Sequence, residues 1–150
     1  MDYDGAKAKF AWYVTHSVRG DELTASEIYH DDALVEFPQS GERFRGKDNF
    51  IPWRSEYPAT SIEFEVRSVR GAGDTWIVEG RVGYGDGNLI QFVDILEFRG
   101  ELVSRETIYS IEAFPPDESR ARYAEPSQLD TTPGLPLRIA TGESTAESHT

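Results

Sequence analysis

Asp94, Arg105 and Thr107 are the residues of this chain whose type and spacing suit acid–base chemistry. A carboxylate set among apolar side chains must find a partner or keep its proton. Asp94 lies in an alternating run from Asn88 to Arg99, and Arg105 and Thr107 lie in another from Leu102 to Ile111. A two-residue loop at Gly100-Glu101 pairs Arg99 with Leu102. Counting back, Phe98 faces Val103, Leu96 faces Arg105, Asp94 faces Thr107 and Phe92 faces Tyr109, all on one side of a sheet. A three-residue loop from Gly85 to Gly87 adds Trp76, Val78, Gly80 and Val82 to that side. The two-residue alternative would set Glu79 opposite Asp94, a like-charge pair. The expected outcome is an Asp94 carboxyl with Thr107 across from it and Arg105 on the diagonal. That grouping reads either as a structural ion pair or as the polar floor of an apolar pocket.

The remaining chemistry-bearing residues point elsewhere. The chain has no cysteine, which excludes disulfides, thiolate metal sites and a Cys nucleophile. His16 sits off the apolar face of the first helix, His30 lies beside Asp31 and Asp32 at an element end, and His149 is near the C-terminus. None has metal-ligand spacing, so no metal and no cofactor are expected. The glycine pairs read as turns without phosphate-loop context.

Elements must hold these residues in place. Phe10, Tyr13, Val14, Ser17 and Val18 recur at the spacing of one helix face, closed by Gly20. A short second helix over 22–29 buries Leu23 and Ile28. Asp31-Asp32 ends it, and Ala33 to Phe37 reads as a strand. Phe50, Trp53 and Tyr57 mark a third helix within 46–57, which Pro52 delays or kinks. Ile62, Phe64 and Val66 open a run of strands that ends near Ile111. Helices followed by an antiparallel meander predict an α+β fold, with the helices on one sheet face.

The opposite face carries Ile77, Glu79, Arg81, Gln91, Val93, Ile95 and Ile108. Its apolar centre predicts a homodimer through the outer sheet face. Residues 1–125 form the domain. Residues 126–150 hold no aromatic residue and are rich in Pro, Ser and Thr, which predicts a disordered tail. The net charge of −12 argues against nucleic acid and against anionic membranes. No apolar run spans a bilayer and no signal core opens the chain, so a cytoplasmic protein is expected.

The blocks "ELTASEIYHDDALVEFPQSGERFRGKDNF" and "FVDILEFRGELVSRETIY" resemble the nuclear transport factor two-like superfamily, in its SnoaL-like, polyketide-cyclase-like branch. The resemblance spans about Phe10 to Tyr123. It implies a cone-shaped barrel in which three N-terminal helices close a curved antiparallel sheet around an apolar pocket, the ketosteroid-isomerase-like fold. Ketosteroid isomerases keep a Tyr on the first helix, a carboxylate base on the first strand and a protonated Asp on a later strand. The matching positions here are Tyr13, Phe37 and Asp94, so the strand-one base is replaced by an aromatic ring. Glu36 alternates to the other face. The last-strand Asp of limonene-epoxide-hydrolase-like members matches Thr107, with Arg105 and Asp94 retained. The resemblance thus implies Asp94 as acid or base, Tyr13 as a donor to a developing oxyanion, and Arg105 orienting Asp94. Phe37, Trp53, Tyr57, Trp76, Phe92, Thr107 and Tyr109 would line the site for a hydrophobic polyketide-, terpenoid- or steroid-like ligand. A cofactor-independent isomerase, cyclase or dehydratase follows, or a non-catalytic ligand-binding or dimeric module of the same fold.

Overall fold

The structure is a computed structural model that describes residues 1–56, 62–85 and 89–127, and the backbone of residues 138–139. Its helices are α1 (Tyr3–Ser17), α2 (Glu22–Ala25) and α3 (Lys47–Ser55). Its strands are β1 (Tyr29–Phe37), β2 (Glu42–Arg45), β3 (Glu63–Ala72), β4 (Thr75–Gly83), β5 (Leu89–Arg99), β6 (Leu102–Glu112) and the two-residue β7 (Arg138–Ile139). Among the described residues the strands form one sheet, ordered β2-β1-β6-β5-β4-β3-β7. The sheet is curved and does not close. Every pair is antiparallel except β1 with β6, which run parallel. The expected α+β architecture stands, with that one parallel pairing added.

Asp2 caps α1 by accepting from the Gly5 N–H, and the helix buries Ala6, Phe10, Val14 and Ser17 against the sheet. Phe10, Val14 and Ser17 are among the positions its spacing marks, Tyr13 is half-buried, and Ala6 extends the same face by one turn. Phe10 stacks on Phe92, with ring centroids 6.2 Å apart. Gly80, opposite Phe92, makes room for that ring: a Cβ there would stand 2.9 Å from Phe92 Cζ and 2.2 Å from the Glu65 carbonyl.

The short second helix departs from its predicted pattern. Asp21 caps α2, which gives way after Ala25 to a 3-10 turn over Ser26–Ile28. Ile28 is buried as expected, but Leu23 is exposed and Glu22 is buried in its place. The first strand starts earlier than predicted, at Tyr29, and runs through Asp31 and Asp32. An irregularity in the β1–β6 register between Tyr29 and Leu34 interrupts the alternation there, so Tyr29 enters the core while both aspartates stay exposed. α3 continues across Pro52.

The β4–β5 register matches the three-residue reading: Trp76 faces Leu96, Val78 faces Asp94 and Gly80 faces Phe92. The loop residues 86–88 lie outside the described residues. The β5–β6 hairpin begins as expected, with Arg99 opposite Leu102 and Phe98 opposite Val103. A β-bulge follows. Glu97 pairs with Arg105, leaving Ser104 as the extra residue, and from there Leu96 faces Glu106, Asp94 faces Ile108 and Phe92 faces Ser110. One inserted residue turns every later side chain of β6 to the other face. Arg105, Thr107 and Tyr109 therefore leave the core side, and Glu106 and Ile108 enter it. The expected placement of Arg105 and Thr107 beside Asp94 is corrected by this bulge.

No helix among the described residues is long and apolar enough to cross a membrane. Of the expected tail, residues 138–139 pair with Phe64 and Glu65 at the edge of β3.

Candidate functional site

Five polar side chains from five elements meet on the inner face. Tyr13 comes from α1, Tyr29 from β1, Arg54 from α3, Asp94 from β5 and Glu106 from β6. The Tyr29 hydroxyl donates to Glu106 Oε1 at 2.5 Å. The Arg54 guanidinium donates to the same oxygen at 3.0 Å and to the Tyr29 hydroxyl at 3.1 Å. The Arg54 and Glu106 side chains are 7% and 3% exposed, so this ion pair is desolvated. Aromatic faces complete the cage around the guanidinium. Arg54 Cζ lies 5.1 Å from the ring centre of Tyr13, 5.3 Å from Phe50, 5.4 Å from Tyr29 and 5.6 Å from Trp53.

Asp94 is 8% exposed and hydrogen-bonded to Glu106. Two carboxyls this close cannot both ionise in an apolar surround. Burial, and then the neighbouring Glu106 charge, push the Asp94 carboxyl well above its usual range, with Arg54 pulling weakly the other way. A single proton held between Asp94 and Glu106 satisfies both carboxyls, and Arg54 and Tyr29 hold Glu106 in turn. Burial also raises the Tyr13 phenol, against the pull of Arg54, and keeps it protonated.

Of the residues singled out from the sequence, Asp94 and Tyr13 belong to this group. Phe92 lies on the same face, packed between Phe10 and Phe64. Trp76 shares the face but sits at its far end, against Tyr3, with its indole N–H on the Gly73 carbonyl. Phe37 and Trp53 meet at 5.5 Å, and Phe44 stacks on Trp53 at 4.6 Å. The strand-one base position is thus part of an aromatic cluster. Tyr57 lies outside the described residues. Arg105 does not orient Asp94: it pairs on the outer face with Glu36 at 2.7 Å and Glu97 at 3.7 Å. Thr107 faces Ile95 and the exposed Tyr109 faces Val93, both on that outer side. His30 bonds the Arg99 carbonyl, away from the site.

Arg54, Glu106 and Tyr29 were not singled out from sequence. Arg54 stands four residues after Phe50, so it shares Phe50's helix face. Glu106 is hidden by the bulge, and Tyr29 by the early start of β1.

A family model described as a SnoaL-like domain matches residues 10–106. An NTF-2 like protein of unknown function from Burkholderia xenovorans is 33% identical, with a TM-score of 0.73 over 83% of this chain and 97% of that one. A candidate ketosteroid isomerase from Kribbella flavida is 26% identical, with a TM-score of 0.70 over 85% of this chain and 94% of that one. A candidate polyketide cyclase from Sinorhizobium meliloti, 20% identical with a TM-score of 0.58 over 68% and 94% of the two chains, shares the fold. No curated protein matches the chain. A family match across most of the sheet and helices, together with a 33% identical relative of the same architecture, makes this chain a member of the SnoaL-like, NTF2-like family.

Proposed function

We propose that this protein binds a hydrophobic, oxygen-bearing small molecule on the inner face of its sheet and acts on it by cofactor-independent acid–base chemistry. The observation that carries the reading is the buried Asp94 carboxyl, hydrogen-bonded to a Glu106 that Arg54 backs within an aromatic surround. A neutral Asp94 carboxyl would turn its one proton from Glu106, which Tyr29 and Arg54 still hold, to a ligand carbonyl and stabilise the enolate that forms from it. Arg54 stabilises the same developing charge through Glu106 and Tyr29. Isomerisation, cyclisation or dehydration of a polyketide-, terpenoid- or steroid-like substrate all use such a step. The candidate isomerase and cyclase among the structural relatives support this class.

A second reading, a binding module without turnover, is favoured by Phe37. The ring sits where the resemblance implies a strand-one base, and it packs on Phe44 and Trp53. One experiment separates the two. Hydrogen–deuterium exchange at the α-carbon of 2-tetralone is followed by NMR with wild type and Asp94→Asn. An acid of this kind contributes about 10²–10⁴ in rate, so exchange should accelerate with wild type and fall by that factor in the variant. Equal exchange with both proteins, with the ketone bound by both, would leave the binding module standing.

A further inference from the structure

The inner face of the sheet is closed at one end and open at the other. Along β5 its residues run Leu96, Asp94, Phe92 and Ile90, the first three buried and Ile90 half-buried. Along β6 the bulge turns Glu106, Ile108, Ser110 and Glu112 to the same face. Burial falls in that order: Glu106 is buried, Ile108 and Ser110 are half-buried, and Glu112 is exposed. A ligand therefore reaches Asp94 from the Ile90–Glu112 end, and Ser110 stands on its way.

Ser110 faces Phe92, whose ring stacks on Phe10 of α1. Paired residues project to one side of a sheet, so Ser110 lies on the side the helices cover. Asp94 is directly across from Ile108. Glu106 occupies one diagonal of Asp94 and bonds it, and Ser110 occupies the other. Diagonal neighbours on a sheet face stand about 7–8 Å apart. The remaining neighbours of Ser110 on this face, Ile108, Phe92 and Ile90, are apolar. Among the described residues the Ser110 hydroxyl makes no hydrogen bond. It both donates and accepts, so it can meet a hydroxyl or a carbonyl oxygen. Glu112 stands next along the face, in a chain of net charge −12, and disfavours an anionic group there.

We propose that Ser110 is a specificity-determining residue, which takes a second, uncharged oxygen of a ligand whose carbonyl lies at Asp94. This rests on the ligand-binding reading above and narrows the ligand to hydroxy-ketones. The two oxygens are separated by about the diagonal spacing of the sheet, which a fused two-ring ketone spans when its hydroxyl sits on the ring away from the carbonyl. The bulge at Ser104 thus sets both polar contacts: it brings Glu106 to one side of Asp94 and Ser110 to the other.

The test compares three probes by isothermal titration calorimetry of the full chain: 2-tetralone, 6-hydroxy-2-tetralone and 6-carboxy-2-tetralone. Wild type should bind the hydroxy-ketone about fivefold more tightly than 2-tetralone, the effect of one added hydrogen bond. The carboxylate should bind more weakly than 2-tetralone. Ser110→Ala should bring the ratio of the first two affinities to about one, and Ser110→Thr, which keeps a hydroxyl on a good strand former, should retain the preference. Equal affinity of wild type for both ketones, or a preference that Ser110→Ala leaves unchanged, would overturn the Ser110 contact alone. Tighter binding of the carboxylate than of the hydroxy-ketone would overturn the uncharged oxygen. Failure of wild type to bind either ketone would overturn the contact together with the ligand-binding reading.

Discussion

At the residue scale the two carboxyls of the site carry different burdens. Glu106 is the counter-charge of a buried guanidinium. Glu106→Gln leaves Arg54 unpaired in an apolar surround and should cost about 3–5 kcal/mol of stability in denaturant titrations. Burial and the neighbouring Glu106 favour the protonated form of Asp94, and an asparagine amide can take over its donation to Glu106. Asp94→Asn should therefore cost less than about 1.5 kcal/mol at neutral pH. The two variants should also differ in their pH dependence. Asp94 binds its proton more tightly in the folded chain than in the unfolded one, where its value is near 3.8. Its contribution to stability is full below that value and declines as pH rises toward the folded-state value. Wild type should lose stability relative to Asp94→Asn between about pH 4 and neutrality. A constant difference across that range would mean that Asp94 is ionised in the fold.

At the element scale the bulge at Ser104 decides which residues reach the site. Deleting Ser104 joins Val103 directly to Arg105 and leaves every other β5–β6 pair in place. The shortened chain should fold, losing the Ser104 bond to the Glu97 carbonyl, about 1 kcal/mol. If the strand instead ran without a bulge, Arg105 would face inward, and the same deletion would turn it and every later residue of β6 to the opposite face, so the chain would not fold. This element also marks how far the sequence could be read. Helix spacing identified the buried face of α1, and turn lengths set the β4–β5 register, because both follow from local periodicity. Asp94 was legible in that way, whereas Tyr13 became a site residue only through the family resemblance. An extra residue in β6 leaves no mark on apolar alternation here, since Arg105, Glu106 and Thr107 are all polar and either register looks acceptable. Arg105 was chosen where Glu106 belongs. Arg54 shares the helix face of Phe50, but a lone arginine at that spacing reads as solvent-facing until the Glu106 that pairs with it is placed.

At the scale of the whole molecule the outer sheet face stands apart from the rest of a chain of net charge −12. Glu36, Glu65, Glu79 and Glu97 are each ion-paired there with arginines. Val93 and Ile95 lie between these pairs, with Tyr109 and Ile111 exposed beside them. Two acidic chains can meet across such a balanced face with little repulsion. Ile95→Lys should convert a dimer to monomer in light scattering, and a wild type already monomeric at micromolar concentration would contradict that interface. Ending the chain at Glu125 removes only two described backbone positions from the sheet, at its edge. The melting temperature should stay within a few degrees, and a larger fall would mean that the C-terminal residues dock on the domain.

The central claim is that Asp94 is a carboxylic acid at neutral pH, within reach of a ligand. Carbon-13 NMR of the full chain, labelled at aspartate carboxyls, addresses it directly. One resonance should keep the chemical shift of a protonated carboxyl at neutral pH, vanish in Asp94→Asn and move when 2-tetralone binds. A spectrum in which every aspartate has the shift of a carboxylate at neutral pH would contradict the account.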